Sequence, residues 1–159
     1  MDPTTVTTNP DIHKPLITAL ATFYTLLVDL RYIPPAWLIQ PSPETGRHPT
    51  NLINAAAAAR RNGFGPSAID LAYQIPYIVD EDVKLNPDTQ PLCYLTRLGG
   101  AVQPLSNSEQ RDADLADEWE YARDPTFQGR DDTWAGSNVL VLTRGQVYGV
   151  VLVYDIDER

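Results

Sequence analysis

The stretch Leu16-Ile-Thr-Ala-Leu-Ala-Thr-Phe-Tyr-Thr-Leu-Leu-Val-Asp-Leu30 decides the fold that we predict for this chain. At about 100° per residue its threonines and its aspartate fall on one narrow arc, and apolar side chains occupy the rest of the helix surface. An apolar surface this wide needs partners on several sides. We therefore predict a central N-terminal helix that the rest of the chain wraps and that ends before Pro34-Pro35, because the residue preceding a proline is forced into extended geometry.

The same helix is too short to span a membrane, since its apolar run covers about 15 residues and a bilayer needs about 20. Residues 1–10 lack the basic and apolar segments of a signal peptide, and we expect them to form a short flexible tail. The chain of 159 residues is of single-domain size, so residues 11–159 are predicted to form one domain.

The net charge of −9, with an isoelectric point near 4.5, argues against nucleic acid and anionic membrane surfaces as partners. A basic partner protein fits this charge, and the same charge also simply keeps a protein soluble. Cys93 is the one cysteine, so the chain can form no internal disulfide and fits a reducing, cytoplasmic compartment. On a predicted buried strand, Cys93 is expected to be a core residue.

Further helices are predicted over residues 51–61, 68–74 and 106–122. Thr50 is the expected N-cap of the first, Gly63 lies just beyond its end, and Ser67 is expected to cap the second. The last begins at the capping box of Ser106 and docks through Leu115, Trp119 and Ala122.

Strands are predicted over residues 92–98 and in a C-terminal hairpin over residues 138–154. A two-residue turn at Arg144-Gly145 would pair Val141 with Tyr148. Both faces of this hairpin are apolar, so both must be covered or one must meet a partner. Residues 80–91 between the helices and strands read as an exposed, mobile acidic loop. Helices come first and most strands last, which indicates an α+β fold of helices packed on an antiparallel sheet.

Several scattered motifs, including Leu30-Arg-Tyr-Ile-Pro-Pro35, Ile75-Pro-Tyr-Ile78 and the segment from Leu140 to Asp155, resemble a group of uncharacterised proteins from filamentous fungi. That resemblance implies no activity. More distantly, a helix followed by Ile33-Pro34-Pro35 and a late apolar hairpin is similar to the SUKH superfamily of α+β interaction and immunity domains. This second resemblance implies a binding role and carries over no functional residue.

No catalytic or metal-binding pattern emerges from the sequence. Asp82-Val-Lys84 has the spacing of an acid and a lysine in metal-dependent nucleases, but it lies in a predicted loop of an acidic chain. His13 and His48 have no second ligand or nucleophile at a recognised spacing. We therefore expect no metal and no cofactor.

Aromatic residues near the ends of elements are the remaining candidates for binding, because an aromatic there either seals the core or anchors a partner. The sequence favours a non-enzymatic protein-interaction module with an acidic surface. The alternative is a small enzyme or small-ligand-binding protein with a pocket between helices and sheet, and a third reading is a homodimer formed through the hairpin. The candidate binding residues are Trp37, Tyr77, Tyr94, Arg97, Trp134 and Tyr148.

Overall fold

A computed structural model describes residues 11–80, 82–98, 101–105, 116–123, 135–145 and 147–158. The predicted tail, Leu115 and Trp134 lie outside these residues. In chain order the described elements are α1 (Lys14–Asp29), a 3-10 turn (Pro35–Trp37), β1 (Leu38–Ile39), a second 3-10 turn (Thr50–Leu52), α2 (Ala55–Asn62), α3 (Pro66–Ala72), β2 (Tyr77–Ile78), β3 (Thr89–Pro91), β4 (Arg97–Leu98), β5 (Ala101–Val102), α4 (Ala116–Arg123), β6 (Val139–Val141), β7 (Thr143–Gly145) and β8 (Val153–Asp155). The predicted α+β class is confirmed.

Helix α1 lies at the surface and not at the centre of the fold. Within α1, all of whose residues are described, only Tyr24 is buried. Helix α2 packs on α3 and α4. The apolar surface of α1 is wide enough to allow several orientations, and the one adopted turns Tyr24 inward and leaves Phe23 and Leu26 exposed. The prediction that α1 ends before Pro34-Pro35 is confirmed, since the helix ends at Asp29. Arg31, just beyond this end, has a left-handed φ of 58°.

Helices α2 and α3 are present, with starts that differ from the prediction. The side chain of Asn54, and not Thr50, caps α2 by accepting a hydrogen bond from the amide of Ala57 at 3.0 Å. Gly63 ends α2 at a left-handed φ of 69°, as predicted. Pro66 begins α3 because a proline suits the first turn, so Ser67 lies inside the helix and does not cap it.

The main core forms where α2, α3, α4 and β6 meet, and not around α1. Trp119 of α4 is 2% exposed, and its ring centroid lies 4.2 Å from that of Tyr94 and 4.9 Å from that of Phe64. Ala122 is fully buried, so these two residues of the predicted docking stripe are confirmed. A smaller cluster joins α1 to the following chain through Tyr24, Ile33, Ile78 and Val83.

Within the described ranges the strands form four two-stranded antiparallel sheets: β1 with β2, β3 with β7, β4 with β5 and β6 with β8. The predicted hairpin register is wrong, because Val141 pairs with Val153 and not with Tyr148. The predicted turn residues, Arg144 and Gly145, belong instead to β7 (Thr143–Gly145), which pairs with Thr89–Pro91. Residues paired in this way with β3 cannot form the predicted two-residue turn.

The acidic loop and the strand that follows it also differ from the prediction. The paired strand Thr89–Pro91 lies inside the predicted mobile loop, where Val83 and Thr89 are both buried. Of the predicted strand 92–98, only Arg97–Leu98 is paired, and its partner is Ala101–Val102. The residues before this strand, from Leu92 to Leu95, are buried in the main core. Their apolar character reflects this burial.

Candidate interaction surface

The C-terminal segment exposes five large apolar side chains that the structure leaves uncovered. Their exposed fractions range from 42% to 84%, and Tyr148 is at the upper limit. Several large exposed apolar side chains within seven residues of sequence mark a binding surface more often than a single exposed residue does. We call this set the hairpin surface, and its members are Val147, Tyr148, Val150, Leu152 and Val153.

Two buried threonine hydroxyls hold the backbone beneath the hairpin surface. The Oγ1 of Thr89 accepts a hydrogen bond from the amide of Val150 at 2.8 Å. The hydroxyl of Thr143 donates to the carbonyl oxygen of Val150 and accepts from the amide of Leu152, each at 2.8 Å. Thr89 and Thr143 are 3% and 1% exposed. The backbone of this segment is therefore held at Val150 and Leu152 by buried side chains of the fold.

Two glycines allow the tip of this segment to approach the acidic loop. A Cβ on Gly149 would collide with the carbonyl oxygen of Asp88, and a Cβ on Gly145 would lie 2.8 Å from the carbonyl group of Gly149. Asp88 itself has a left-handed φ of 61°, and its carboxylate accepts from the amide of Tyr148 at 3.3 Å. Three backbone segments thus meet where only glycine fits.

A second apolar surface lies on α1 and the chain that follows it. Phe23, Leu26 and Leu30 are spaced along one side of the helix and its end, and they are exposed together with Tyr32. The hydroxyl of Tyr32 donates to the carbonyl oxygen of Lys84 at 2.5 Å, which connects this surface to the acidic loop. We call these four residues the α1 stripe.

A third candidate is an apolar groove of about 420 Å³ between α2 and α3. Its one ionisable carboxylate belongs to Asp70, which forms an ion pair with Arg47 at 2.7 Å. The Tyr73 hydroxyl donates to the carbonyl oxygens of Thr50 and Ile53. The polar atoms at the groove are therefore already bonded within the protein. The lining residues are Ala55, Ala56, Ala59, Phe64, Pro66, Ile69, Asp70 and Tyr73.

Tyr77 and Tyr94, two of the predicted binding residues, lie inside the main core. Their ring centroids are 6.2 Å apart, and both side chains are at most 2% exposed. The hydroxyl of Tyr77 donates to the carbonyl of Ala72 at 2.5 Å, and that of Tyr94 donates to the carbonyl of Val141 at 2.6 Å. Burial raises the pKa of both phenols well above the ordinary value of 10. Neither side chain is available to a partner at the surface.

The other predicted residues are spread over the molecule. Trp37 is half-buried and packs on the smaller cluster. Arg97 is held inside the fold, because its guanidinium donates to the Val79 carbonyl at 3.0 Å and to the Glu118 carboxylate at 2.8 Å. Tyr148 alone among the described predicted residues belongs to an exposed apolar surface.

The histidines and the acid–lysine motif do not assemble a reactive centre. His48 is buried and its Nε2 lies 2.8 Å from the carbonyl oxygen of Ile75, while Nδ1 of His13 lies 3.2 Å from the hydroxyl of Tyr154. Asp82 and Lys84 are exposed on either side of the buried Val83. Among the residues that the structure describes, no group of three His, Cys, Asp or Glu side chains could hold a metal ion. No helix in the described ranges is long and apolar enough to cross a membrane.

Of the five members of the hairpin surface, only Tyr148 was predicted from the sequence as a binding residue. The available signal was the continuous run of apolar residues from Val150 to Val153, which leaves no polar face for solvent. An incorrect register divided these residues between two faces of a predicted sheet. Only the observed pairing shows that β6 is largely buried while Val153, at the start of β8, remains exposed.

No protein-family model, curated protein or solved structure matches this chain. The two resemblances stated from the sequence therefore stay predictions. The function has to be argued from the surfaces described above.

Proposed function

We propose that this protein is a non-enzymatic, acidic protein-interaction module that binds a basic protein partner through the hairpin surface. The observation that carries the proposal is the exposure of five large apolar side chains on a backbone fixed by Thr89 and Thr143. Preorganised apolar side chains lose little conformational entropy on binding, which favours association. The net charge of −9 favours a partner of opposite charge. The single cysteine supports placing this function in the reducing cytoplasm.

The experiment compares the wild-type protein with a Val147→Ser/Tyr148→Ser variant as baits in a native extract. We expect the wild type to capture a basic protein and the variant to capture at least about fivefold less of it. This difference corresponds to a loss of about 1 kcal/mol or more in binding free energy. The matched control is Leu26→Ser/Leu30→Ser, which removes exposed apolar residues from the α1 stripe. Equal capture by all three proteins would contradict a role for the hairpin surface.

A second candidate function is small-ligand binding in the groove between α2 and α3. The volume of about 420 Å³ and the apolar lining are suited to a small hydrophobic molecule. Native mass spectrometry of the purified protein tests this alternative. A small molecule that binds the wild type and is lost from an Ala56→Leu variant would support ligand binding in the groove. If no protein partner is recovered as well, small-ligand binding would replace protein binding as the proposed function.

A homodimer is the third candidate, since a second copy would also cover exposed apolar residues. Light scattering at micromolar concentration distinguishes it by mass. A doubled mass that returns to the monomer value in the Val147→Ser/Tyr148→Ser variant would favour it.

A further inference from the structure

Among the described residues, no strand pairs with the outer edge of β8, the edge that faces away from β6. The amide of Leu142 donates to the carbonyl of Leu152 at 2.8 Å, and the amide of Ile156 donates to the carbonyl of Asn138 at 3.1 Å. In an antiparallel pair the backbone groups of successive residues alternate sides, so Leu152, Tyr154 and Ile156 face β6 and the residues at the odd positions beside them face away from it. The backbone groups of Val151, Val153 and Asp155 therefore point outward.

The described residues place no strand along this outer edge. An open edge is a template for another strand, and proteins commonly protect it with lysine, proline or a covering element. Between positions 147 and 155 the sequence contains neither lysine nor proline. The exposed side chains of Val150, Leu152 and Val153 leave the edge apolar and accessible.

Acidic groups flank the apolar part of the edge. At the tip, the carboxylate of Asp88 lies against the amide of Tyr148. At the other end are Asp155, Asp157 and Glu158, and the latter two are exposed. Asp155 accepts from the amides of Asp157 and Glu158, which fixes this end of the strand. A strand that lies along the edge therefore meets negative charge at both of its ends.

From these observations we infer that the outer edge of β8 binds an extended, apolar peptide segment flanked by lysine or arginine, by adding it as a third strand to the β6–β8 sheet. Backbone pairing with Val151, Val153 and Asp155 would supply the hydrogen bonds, and the exposed valines and leucine would pack against the apolar peptide side chains. A second copy of this chain would bring the same acids and a further net charge of −9, which opposes self-pairing. The inference rests on the proposed function and specifies the partner.

The test measures binding of a fluorescein-labelled peptide, acetyl-Lys-Val-Thr-Val-Thr-Val-Lys-amide, by fluorescence anisotropy. Val153→Pro removes an outward-facing amide without touching the ladder to β6, and proline is tolerated at such edge positions. Val153→Thr keeps the amide and is the matched control. We expect Val153→Pro to weaken binding at least about tenfold and Val153→Thr to change it less than about threefold.

Peptides with N-methylated amides provide a test that does not depend on folding of a variant. Methylation of alternate residues on the side facing β8 should weaken binding at least about tenfold, while methylation of the other set should leave it within about threefold. Replacement of both lysines by glutamate, or an increase in NaCl from about 0.05 M to about 0.5 M, should also weaken binding.

Three results would overturn this inference: no binding of the labelled peptide to the wild type, equal binding of both methylated sets, or a doubled mass of the wild type that Val153→Pro abolishes. The extract experiment separates the two proposals. If the captured protein still depends on Val147 and Tyr148 while Val153→Pro has no effect, the module binds through side chains and strand addition is excluded. If neither variant alters capture, the proposed function fails as well.

Discussion

The hydroxyl of Thr143 donates a hydrogen bond to the carbonyl oxygen of Val150 at 2.8 Å, across a separation of seven residues. At this point the chain leaves its pairing with β8 and begins β7, which pairs with β3. A side-chain hydroxyl thus replaces the ladder of backbone bonds that the departing strand can no longer provide. The Thr143 side chain links the sheet to the hairpin surface.

Replacement of Thr143 by valine should destabilise the protein by about 1–3 kcal/mol, because the shape is kept while Val150 and Leu152 each lose a hydrogen-bond partner in a partly buried setting. Urea denaturation measures this change. Thr22→Val on the exposed side of α1 is the control and should stay within about 0.5 kcal/mol. Equal stability of the two variants would show that the hydroxyl does not hold the segment.

A methyl group at Gly149 should cost about 1–3 kcal/mol, because it would collide with backbone that cannot move aside. The obstacles are the carbonyl oxygen of Asp88 and, at 2.6 Å, the Cα of Gly145. Gly136→Ala is the matched control, since the nearest atom to its new methyl would be 3.6 Å away on Val139. Thermal unfolding of both variants decides the point, and a Gly149→Ala protein as stable as the control would contradict the observed approach.

Tyr24 and Phe23 are adjacent aromatic residues on α1 that should respond very differently to truncation. Tyr24→Ala should cost about 3 kcal/mol or more, because it empties a buried position in the smaller cluster. Phe23→Ala should cost less than about 1 kcal/mol, because the ring is 42% exposed. Chemical denaturation of the pair therefore reports which side of α1 faces the protein. Similar losses of stability in the two variants would contradict an orientation of α1 in which Tyr24 faces the protein and Phe23 faces solvent.

Burial lowers the pKa of His48 below its ordinary value of 6.5, although the hydrogen bond with Ile75 opposes this shift. The folded state then binds fewer protons than the unfolded chain just below pH 6.5. The contribution of His48 to stability is complete above that pH and declines as the pH falls toward the pKa of the folded state. Relative to a His48→Gln variant, the wild type should lose free energy of unfolding on acidification, which urea titrations at a series of pH values measure. A relative gain would reverse the sign and refute the assignment.

The local features of the fold could be predicted where one or two residues suffice. Gly63 marked the end of α2, because a left-handed φ acts within a single turn, and Pro34-Pro35 marked a limit that α1, ending at Asp29, does not reach. Docking of α4 through Trp119 and Ala122 also followed from helical spacing. Of the predicted binding residues, Tyr148 reached the surface because it lies at the tip of the C-terminal segment.

Burial of Tyr77, Tyr94 and Arg97 could not be read from the sequence, because each forms contacts with residues distant in the chain. The hydroxyl of Tyr94 donates to the carbonyl oxygen of Val141, 47 positions away, and the guanidinium of Arg97 donates to the carboxylate of Glu118, 21 positions away. An aromatic residue near the end of an element has the same local pattern whether it faces the core or a partner. Its role depends on what the rest of the chain brings against it.

The sequence by itself determined the α+β class, the C-terminal ends of α1 and α2, and the surplus of apolar residues near the C-terminus. The tertiary structure alone decided which sector of α1 is buried and which strands pair. An apolar surface that surrounds a helix leaves its rotation open, and a strand that is apolar on both faces leaves its register open. In this protein the burial of Tyr24 goes with the observed rotation of α1, and the hydrogen bonds of the Thr89 and Thr143 hydroxyls go with the observed strand pairing, because each is a contact with residues distant in the chain.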